Sequence, residues 1–354
     1  MRTKEIILSY TGQPLRELLS AIPDGRFGEI SEIRLRVGRP VIVYINCREF
    51  FLCAKNGGEN AGGSRAAAGA AASGLTGSVS AAYQATREDI AQILELISDY
   101  SIYAFEEEIR SGYITIPGGH RIGLTGRASV ENRAVRALRN ISGFNIRVSH
   151  QVIGCGEKVV GRLLDGPSAE KRLLNTLIIS PPACGKTTLL RDLIRLLSDG
   201  IPGVFAGVTV GVADERSEIA GCYRGVPQND VGMRTDVLDA CPKAEGMSML
   251  LRAMGPRIVA ADELGGRKDA EAAEEVANAG VGLLCTAHGY GPDDLRGKPG
   301  FGPLFEQKIF KRFVVLYGAG KLGGIYDEAG RTVRGPGERT DPPAAAAYAA
   351  PFRA

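Results

Sequence analysis

The string Ser180-Pro-Pro-Ala-Cys-Gly-Lys-Thr-Thr constrains this chain most, because an apolar run, Thr176–Ile179, leads into it and an amphipathic one, Thr188–Leu197, leaves it. A strand that turns through x-x-x-x-x-G-K-T into a helix is the pattern of a phosphate-binding loop. It supplies successive backbone N–H groups, a helix N-terminus facing negative charge, and an ammonium for the terminal phosphate oxygens. Lys186 is the expected clamp, Gly185 permits close backbone approach, Thr187 offers its hydroxyl to Mg²⁺, and Thr188 lies near the α-phosphate. Ser180, Pro181, Pro182, Ala183 and Cys184 complete the cradle; the prolines have no N–H, so the donors are the amides from Cys184 to Thr188. Ser180 stands where the pattern has its first glycine, and a serine is expected to strain a position that asks for an unusual φ, at a cost to affinity. The implied ligands are ATP and Mg²⁺.

Two acidic pairs end later apolar runs. Arg257-Ile-Val-Ala-Ala leads into Asp262-Glu263, the form of a Walker B motif, in which Asp262 holds Mg²⁺ through its water shell and Glu263 polarises the attacking water. One carboxylate beside Thr187 suffices for a cation that keeps most of its waters. Asp214-Glu215-Arg216 follows the run Val204–Val212, and Glu215 is a rival for the base. A third run, Gly282-Leu-Leu-Cys, finishes in Thr286-Ala-His288, and either Thr286 or His288 is placed to sense the γ-phosphate. The stretch from Ile219 to Gly246 reads as a long polar loop, and Arg216, Arg224 and Arg234 are candidates for fingers reaching a neighbouring subunit's site.

Apolar strands alternating with amphipathic helices from Thr176 onward predict an α/β fold, a parallel sheet with right-handed crossovers and a RecA-type P-loop core over residues 156–330. Residues 1–155 read as a smaller α+β domain. Glu32-Ile-Arg-Leu-Arg-Val and Pro40-Val-Ile-Val-Tyr-Ile alternate like paired strands, Thr86 caps a helix carrying Ile90, Ile93, Leu94 and Ile97, and Gly112 to Gly126 forms a hairpin about Pro-Gly-Gly. The Gly, Ala, Ser and Asn-rich segment 55–82 is expected to be a disordered insertion, and 331–354 a disordered tail.

The 354 residues suffice for two cores, and 43 basic against 40 acidic residues leave a net charge of +3, too small for a nucleic-acid coat. Arg121, Arg127, Arg133, Arg136, Arg139 and Arg147 nevertheless cluster with only Glu131 against them. Seven cysteines without a C-x-x-C pair fit neither a zinc site nor a disulfide framework. No apolar run is long enough to span a bilayer, and the expected location is a reducing cytosol.

Taken in order, Glu32-Ile-Arg-Leu-Arg with Gly38-Arg-Pro, Gly112-Tyr-Ile-Thr-Ile-Pro-Gly-Gly-His-Arg-Ile-Gly, Asn140-Ile-Ser-Gly-Phe-Asn-Ile-Arg, Pro181 to Arg191, Asp214-Glu-Arg-Ser-Glu-Ile-Ala-Gly and Arg234-Thr-Asp-Val-Leu-Asp resemble the stage III sporulation protein AA family. The resemblance runs from about Ile30 to Gly318, apart from the insertion. These mother-cell ATPases of endospore-forming bacteria are in turn similar to type II and type IV secretion and retraction ATPases. The resemblance implies a homo-hexamer with a sensor-like N-terminal domain, whose arginines can reach ATP between subunits. It also implies a motor held by a partner at the cytoplasmic face of the mother-cell membrane, energising assembly or transport through a channel of other stage III sporulation proteins. A nucleic-acid-dependent ATPase and a nucleotide-binding scaffold without turnover are the competing readings.

Overall fold

Apolar and charged residues alternate in Glu32-Ile-Arg-Leu-Arg, and in the computed structural model that alternation becomes the two faces of an antiparallel sheet. The structure describes residues 3–46, 48–54, 74–98, 112–131, 134–167, 171–298, 300–318 and 320–334. The chain divides into two units, Met1–His150 and Gln151–Ala354.

In the first unit, strands β1 (Ile30–Arg36), β2 (Ile42–Ile45), β3 (Arg48–Leu52), β4 (Leu75–Thr76), β5 (Tyr113–Ile116), β6 (His120–Glu131) and β7 (Ala134–Arg147) lie in the order β4-β3-β2-β1-β7-β6-β5. Helices α1 (Thr3–Ser9), α2 (Leu15–Ser20), α3 (Asp24–Phe27) and α4 (Arg87–Ile97) accompany the sheet. The capping box of α4 is reciprocal: Thr86 Oγ1 accepts from Asp89 N at 3.1 Å, and the Asp89 carboxylate accepts from Thr86 N at 2.8 Å. Ile33, Leu35, Ile122, Phe144 and Ile146 share one buried cluster with Ile90, Ile93 and Ile97 of α4. Strand alternation puts Arg34, Arg36, Arg121, Arg127, Arg139 and Arg147 on the opposite face, with Arg121 directly across from Arg147 and Arg127 across from Arg139. Arg133 lies outside the described residues.

Residues 74–82, expected within the insertion, belong to the fold. Leu75 pairs with Leu52 and is buried, the Cys53 N–H donates to Gly74 O at 3.0 Å, and Ala82 bridges back to Cys53. Two ladder pairs, Leu75 with Leu52 and Thr76 with Phe51, hold this short edge strand; residues 55–73 lie outside the described residues.

The second unit opens with α5 (Glu157–Val160) and the small ribbon β8 (Leu164–Asp165) and β9 (Arg172–Leu173). Then come β10 (Thr176–Ser180), α6 (Lys186–Asp199), the ribbon β11 (Gly200–Ile201) and β12 (Phe205–Ala206), β13 (Val210–Asp214) and β14 (Thr235–Asp239). The chain continues through α7 (Lys243–Ala253), β15 (Ile258–Ala261), α8 (Arg267–Asn278), β16 (Gly282–His288), α9 (Pro292–Arg296), α10 (Gly302–Glu306), β17 (Arg312–Gly318) and β18 (Lys321–Asp327). The sheet order is β14-β13-β15-β16-β10-β17-β18, parallel except for the last, antiparallel pair. Leu190, Leu193 and Ile194 of α6 cluster with Ile178, Val212, Ala260 and Leu284 on one face of the sheet. On the other, Met247 of α7 and Ala273 and Val276 of α8 cluster with Leu177, Val259 and Leu283.

Three expectations need correction here. Residues 151–155, expected at the end of the first domain, belong to the second unit, where Cys155 packs against the cluster that holds Leu193 and Ile194 of α6. The stretch read as one polar loop contains β14, whose half-buried, partly polar residues carry no clear period. Residues 331–334 continue the fold, the Val333 N–H donating to Ile325 O at 2.7 Å, while 335–354 lie outside the described residues.

Candidate nucleotide site

Strand β16 sits between β10 and β15, so the carboxyl ends of three adjacent parallel strands deliver Ser180, His288 and Asp262 to one edge of the sheet. Ser180 is level with His288 in the register. Its expected strain is absent: Ser180 is a buried ladder residue whose hydroxyl donates to Pro181 O at 2.7 Å, and the positive φ angles fall on Ala183 (59°) and Gly185 (89°). Gly185 occupies the N-cap of α6 in the left-handed region that favours glycine. The tip of the β17–β18 hairpin abuts the loop, with the Gly320 N–H donating to Cys184 O at 3.3 Å.

The side chains of α6's first turn meet those of the neighbouring strands. Thr187 Oγ1 donates to Asp262 Oδ2 at 2.5 Å, and the Thr286 hydroxyl donates to Asp262 Oδ1. Thr286 Oγ1 also accepts from Glu263 N at 2.9 Å, which helps hold Glu263 at a φ of 54°. A non-glycine residue in this region costs energy and persists only where its surroundings over-determine it. Thr286 is fully buried and engaged in this way, so of the two residues offered as phosphate sensors it is His288 that faces the site.

Lys186 Nζ donates to His288 Nδ1 at 3.1 Å and to Pro181 O at 3.4 Å. With Nδ1 accepting, the His288 proton is on Nε2, which donates to Glu263 Oε1 at 3.0 Å. Burial lowers the Lys186 pKa, against the opposing pull of Asp262 and Glu263. For Glu263 burial acts upward, but the His288 hydrogen bond and the charges of Arg216 and Lys186 prevail and hold its carboxyl below the ordinary carboxylate range. Arg216 Nη1 lies 3.0 Å from Glu263 Oε2, an ion pair open to solvent on the arginine side. The rival acid, Glu215, is paired instead with Lys243 of α7.

The three arginines named from sequence diverge. Arg216 joins the Glu263 cluster, and Arg224 stacks over Tyr223 at 5.2 Å. Arg234 is engaged within its own chain: its Nη1 donates to Ser198 O at 2.8 Å and Asp199 O at 3.3 Å, where the carbonyls at the end of α6 attract a cation.

Two residues to which the sequence assigns no individual role organise the site. The Asp214 carboxylate accepts three successive N–H groups, from Glu218, Ile219 and Ala220 at 2.8, 3.0 and 2.8 Å, although burial still raises its pKa. Arg191, nearly buried on α6, donates to Ile219 O at 2.5 Å and Glu218 O at 2.6 Å. A charged pair, Arg191-Asp192, inside an otherwise apolar helix face was the available signal.

The site fits Mg²⁺ with a polyphosphate. Thr187 and Asp262 already converge, and a hard cation of this size takes one or two carboxylate or hydroxyl oxygens plus phosphate and water. The family described as sporulation stage III, protein AA, matches residues 71–333. This chain belongs to the stage III sporulation protein AA family. The Bacillus subtilis (strain 168) member, stage III sporulation protein AA, is 40% identical over 324 residues, covering 91% of this chain and 94% of that protein. The family fold is also that of solved ATPases. The Legionella pneumophila ATPase DotB superposes with a TM-score of 0.51 over 85% of this chain and 75% of its own, at 13% identity. The pilus retraction motor PilT with bound ADP gives 0.50 over 81% and 74%, at 12% identity. Among the described residues of this family member, no helix is long and apolar enough to cross a membrane.

Proposed function

We propose that this protein is a Mg²⁺-dependent ATP hydrolase with a RecA-type core. The observation that carries the reading is the convergence of Lys186, Thr187, Asp262, Glu263 and His288 at the ends of three adjacent strands. Lys186 and the amides from Cys184 to Thr188 bind the phosphates, and Thr187 and Asp262 hold Mg²⁺, which neutralises charge on the transferring phosphoryl group. Glu263 accepts the proton of the attacking water, and His288 orients Glu263 and reports on the terminal phosphate. Glu215, tied to Lys243, is the weaker candidate for the base. Mg²⁺-dependent phosphate release from ATP that Lys186→Ala abolishes supports this assignment; equal release by the variant refutes it.

The family and the motors that share its fold support the finer reading. The protein acts as a homo-hexameric secretion-type ATPase bound through membrane proteins at the cytoplasmic face of the mother-cell membrane. There it powers assembly or transport through the channel to the forespore, with Arg216 or Arg224 as the trans contact. A hexameric mass with ATP and Mg²⁺ is expected, and a monomer under those conditions counts against a shared site.

A second reading, a nucleic-acid-dependent ATPase, draws on the arginines paired across β6 and β7. Like charges directly opposed in a sheet are unfavourable unless an anion separates them. Strong, salt-sensitive stimulation by single-stranded DNA favours this reading over the first.

A further inference from the structure

A cavity of about 700 Å³ opens at the amino-terminal end of the second unit's sheet. It lies where the chain enters β10, β15, β16 and β17, at the opposite end of these strands from the phosphate loop. Five residues of β10 separate the two ends, roughly 15 Å at strand rise.

Four cationic residues line it: Lys171, Arg172, Arg257 and Lys311. No Asp or Glu is among its lining residues. Lys171, Arg172 and Arg257 make no ion pair with any described residue, and Lys311 has only Glu328, at 4.0 Å. Asp165 is opposite Arg172 in the β8–β9 ribbon but does not line the cavity.

The floor is preformed. Asn175 donates from Nδ2 to Ile309 O at 3.0 Å and accepts from Leu283 N at Oδ1 at 3.0 Å; its carbonyl accepts from Lys311 N at 2.8 Å. Leu173, Phe205 and Ile258 supply buried apolar surface. Like charges gathered on a concave wall repel one another and focus a positive potential into the cavity. Guanidinium groups further favour the planar, bidentate oxygens of carboxylate and phosphate. The volume is in the range of small-molecule sites.

We propose that this cavity binds a small organic anion that carries at least two negative charges, as phosphate or carboxylate groups, on an apolar body. The site is separate from the phosphate loop and uses none of its residues.

The test is isothermal titration of the full chain, saturated with ADP at low salt, with inorganic pyrophosphate, citrate and, as a neutral control, glycerol. At least one anion is expected to bind with one site per chain, and glycerol is expected to give no heat. Arg257→Ala and Lys171→Ala each weaken that binding tenfold or more, while Lys268→Ala, exposed on α8, leaves it unchanged. Tighter pyrophosphate identifies phosphate chemistry, and tighter citrate carboxylate chemistry. The proposal is overturned if neither anion binds, if binding is unmoved in both cavity variants, or if Lys268→Ala weakens it equally. Arg257 is exposed and Lys171 partly so, and unchanged circular dichroism separates a lost site from a lost fold. None of these outcomes depends on whether the chain hydrolyses ATP.

Discussion

His288 is hydrogen-bonded on both ring nitrogens, accepting from Lys186 at Nδ1 (3.1 Å) and donating to Glu263 at Nε2 (3.0 Å). The imidazole therefore links the residue proposed to clamp phosphate to the residue proposed to activate water. A ligand that draws the Lys186 ammonium away changes the polarity of the ring and thereby the hold on Glu263.

The pH profile tests this link. Glu263 has a depressed pKa, so its native charge interactions contribute stability above the unfolded-state pKa and are lost as pH falls through the lower, folded value. As a base it remains ionised to correspondingly lower pH. Removing His288 deletes the first-ranked of the influences that lower this pKa. In His288→Ala the acid limb of kcat/KM for ATP hydrolysis moves to higher pH. An unmoved limb means that another group sets it.

Substituting the two candidate bases in parallel separates their roles. Glu263→Gln keeps ATP binding and lowers kcat by roughly 10²- to 10⁴-fold, the usual range for loss of a positioned general base. Glu215→Gln, which removes the partner of Lys243, lowers kcat less than about tenfold. The reverse ranking in single-turnover phosphate release transfers the role of base to Glu215.

Thr286→Val tests the support beneath the metal site. The substitution preserves shape but removes one donor to Asp262 and one of the two acceptors of Glu263 N, which keeps Asp262 Oδ1 at 3.1 Å. Each lost hydrogen bond costs about 0.5–1.5 kcal/mol net. The variant is expected to melt at lower temperature and to need a higher Mg²⁺ concentration for half-maximal activity. A native Mg²⁺ requirement counts against Thr286 as the residue that aims Asp262.

The first unit has its own acid sensitivity. His120 is buried, its Nδ1 accepts from Ser149 N at 3.0 Å, and its Nε2 has no partner among the described residues. Burial, with a smaller contribution from His150, lowers its pKa to about 4. Because the unfolded chain binds the proton more readily, stability rises with pH between about 4 and the ordinary histidine value, and acidification through that window costs on the order of 3 kcal/mol. His120→Gln should flatten this slope in urea titrations of the full chain at pH 4.5 and 6.5. An unchanged slope assigns the acid sensitivity to another group.

The site was legible where chemistry is written in consecutive residues. A strand, a glycine, a lysine and a helix are local events, and so are the acidic pair after Ala261 and the Thr-Ala-His that ends β16. What joins them is not local. The ordering of β16 between β10 and β15 sets the contacts of His288, and no spacing encodes it. Lys243 lies 28 residues from Glu215, and Arg191 reaches carbonyls 27 and 28 residues away, so neither engagement had a sequence pattern. Ser180 illustrates a different failure. The expectation assumed that the position of the first glycine carries the unusual φ, whereas here the ladder extends through Ser180 and the bend falls on Ala183 and Gly185. β14 escaped notice because an edge strand with partly polar sides need not alternate.

At the edge of the first sheet, the hydrogen bond from Cys53 N to Gly74 O keeps those two residues side by side. Whatever is spliced between them begins and ends at one place. Doubling the length of such a segment adds only about 0.6 kcal/mol of closure entropy. The junction is thus a natural docking port for genetic cargo: a fluorescent or affinity module can be carried there while β3 and β4 remain zipped together.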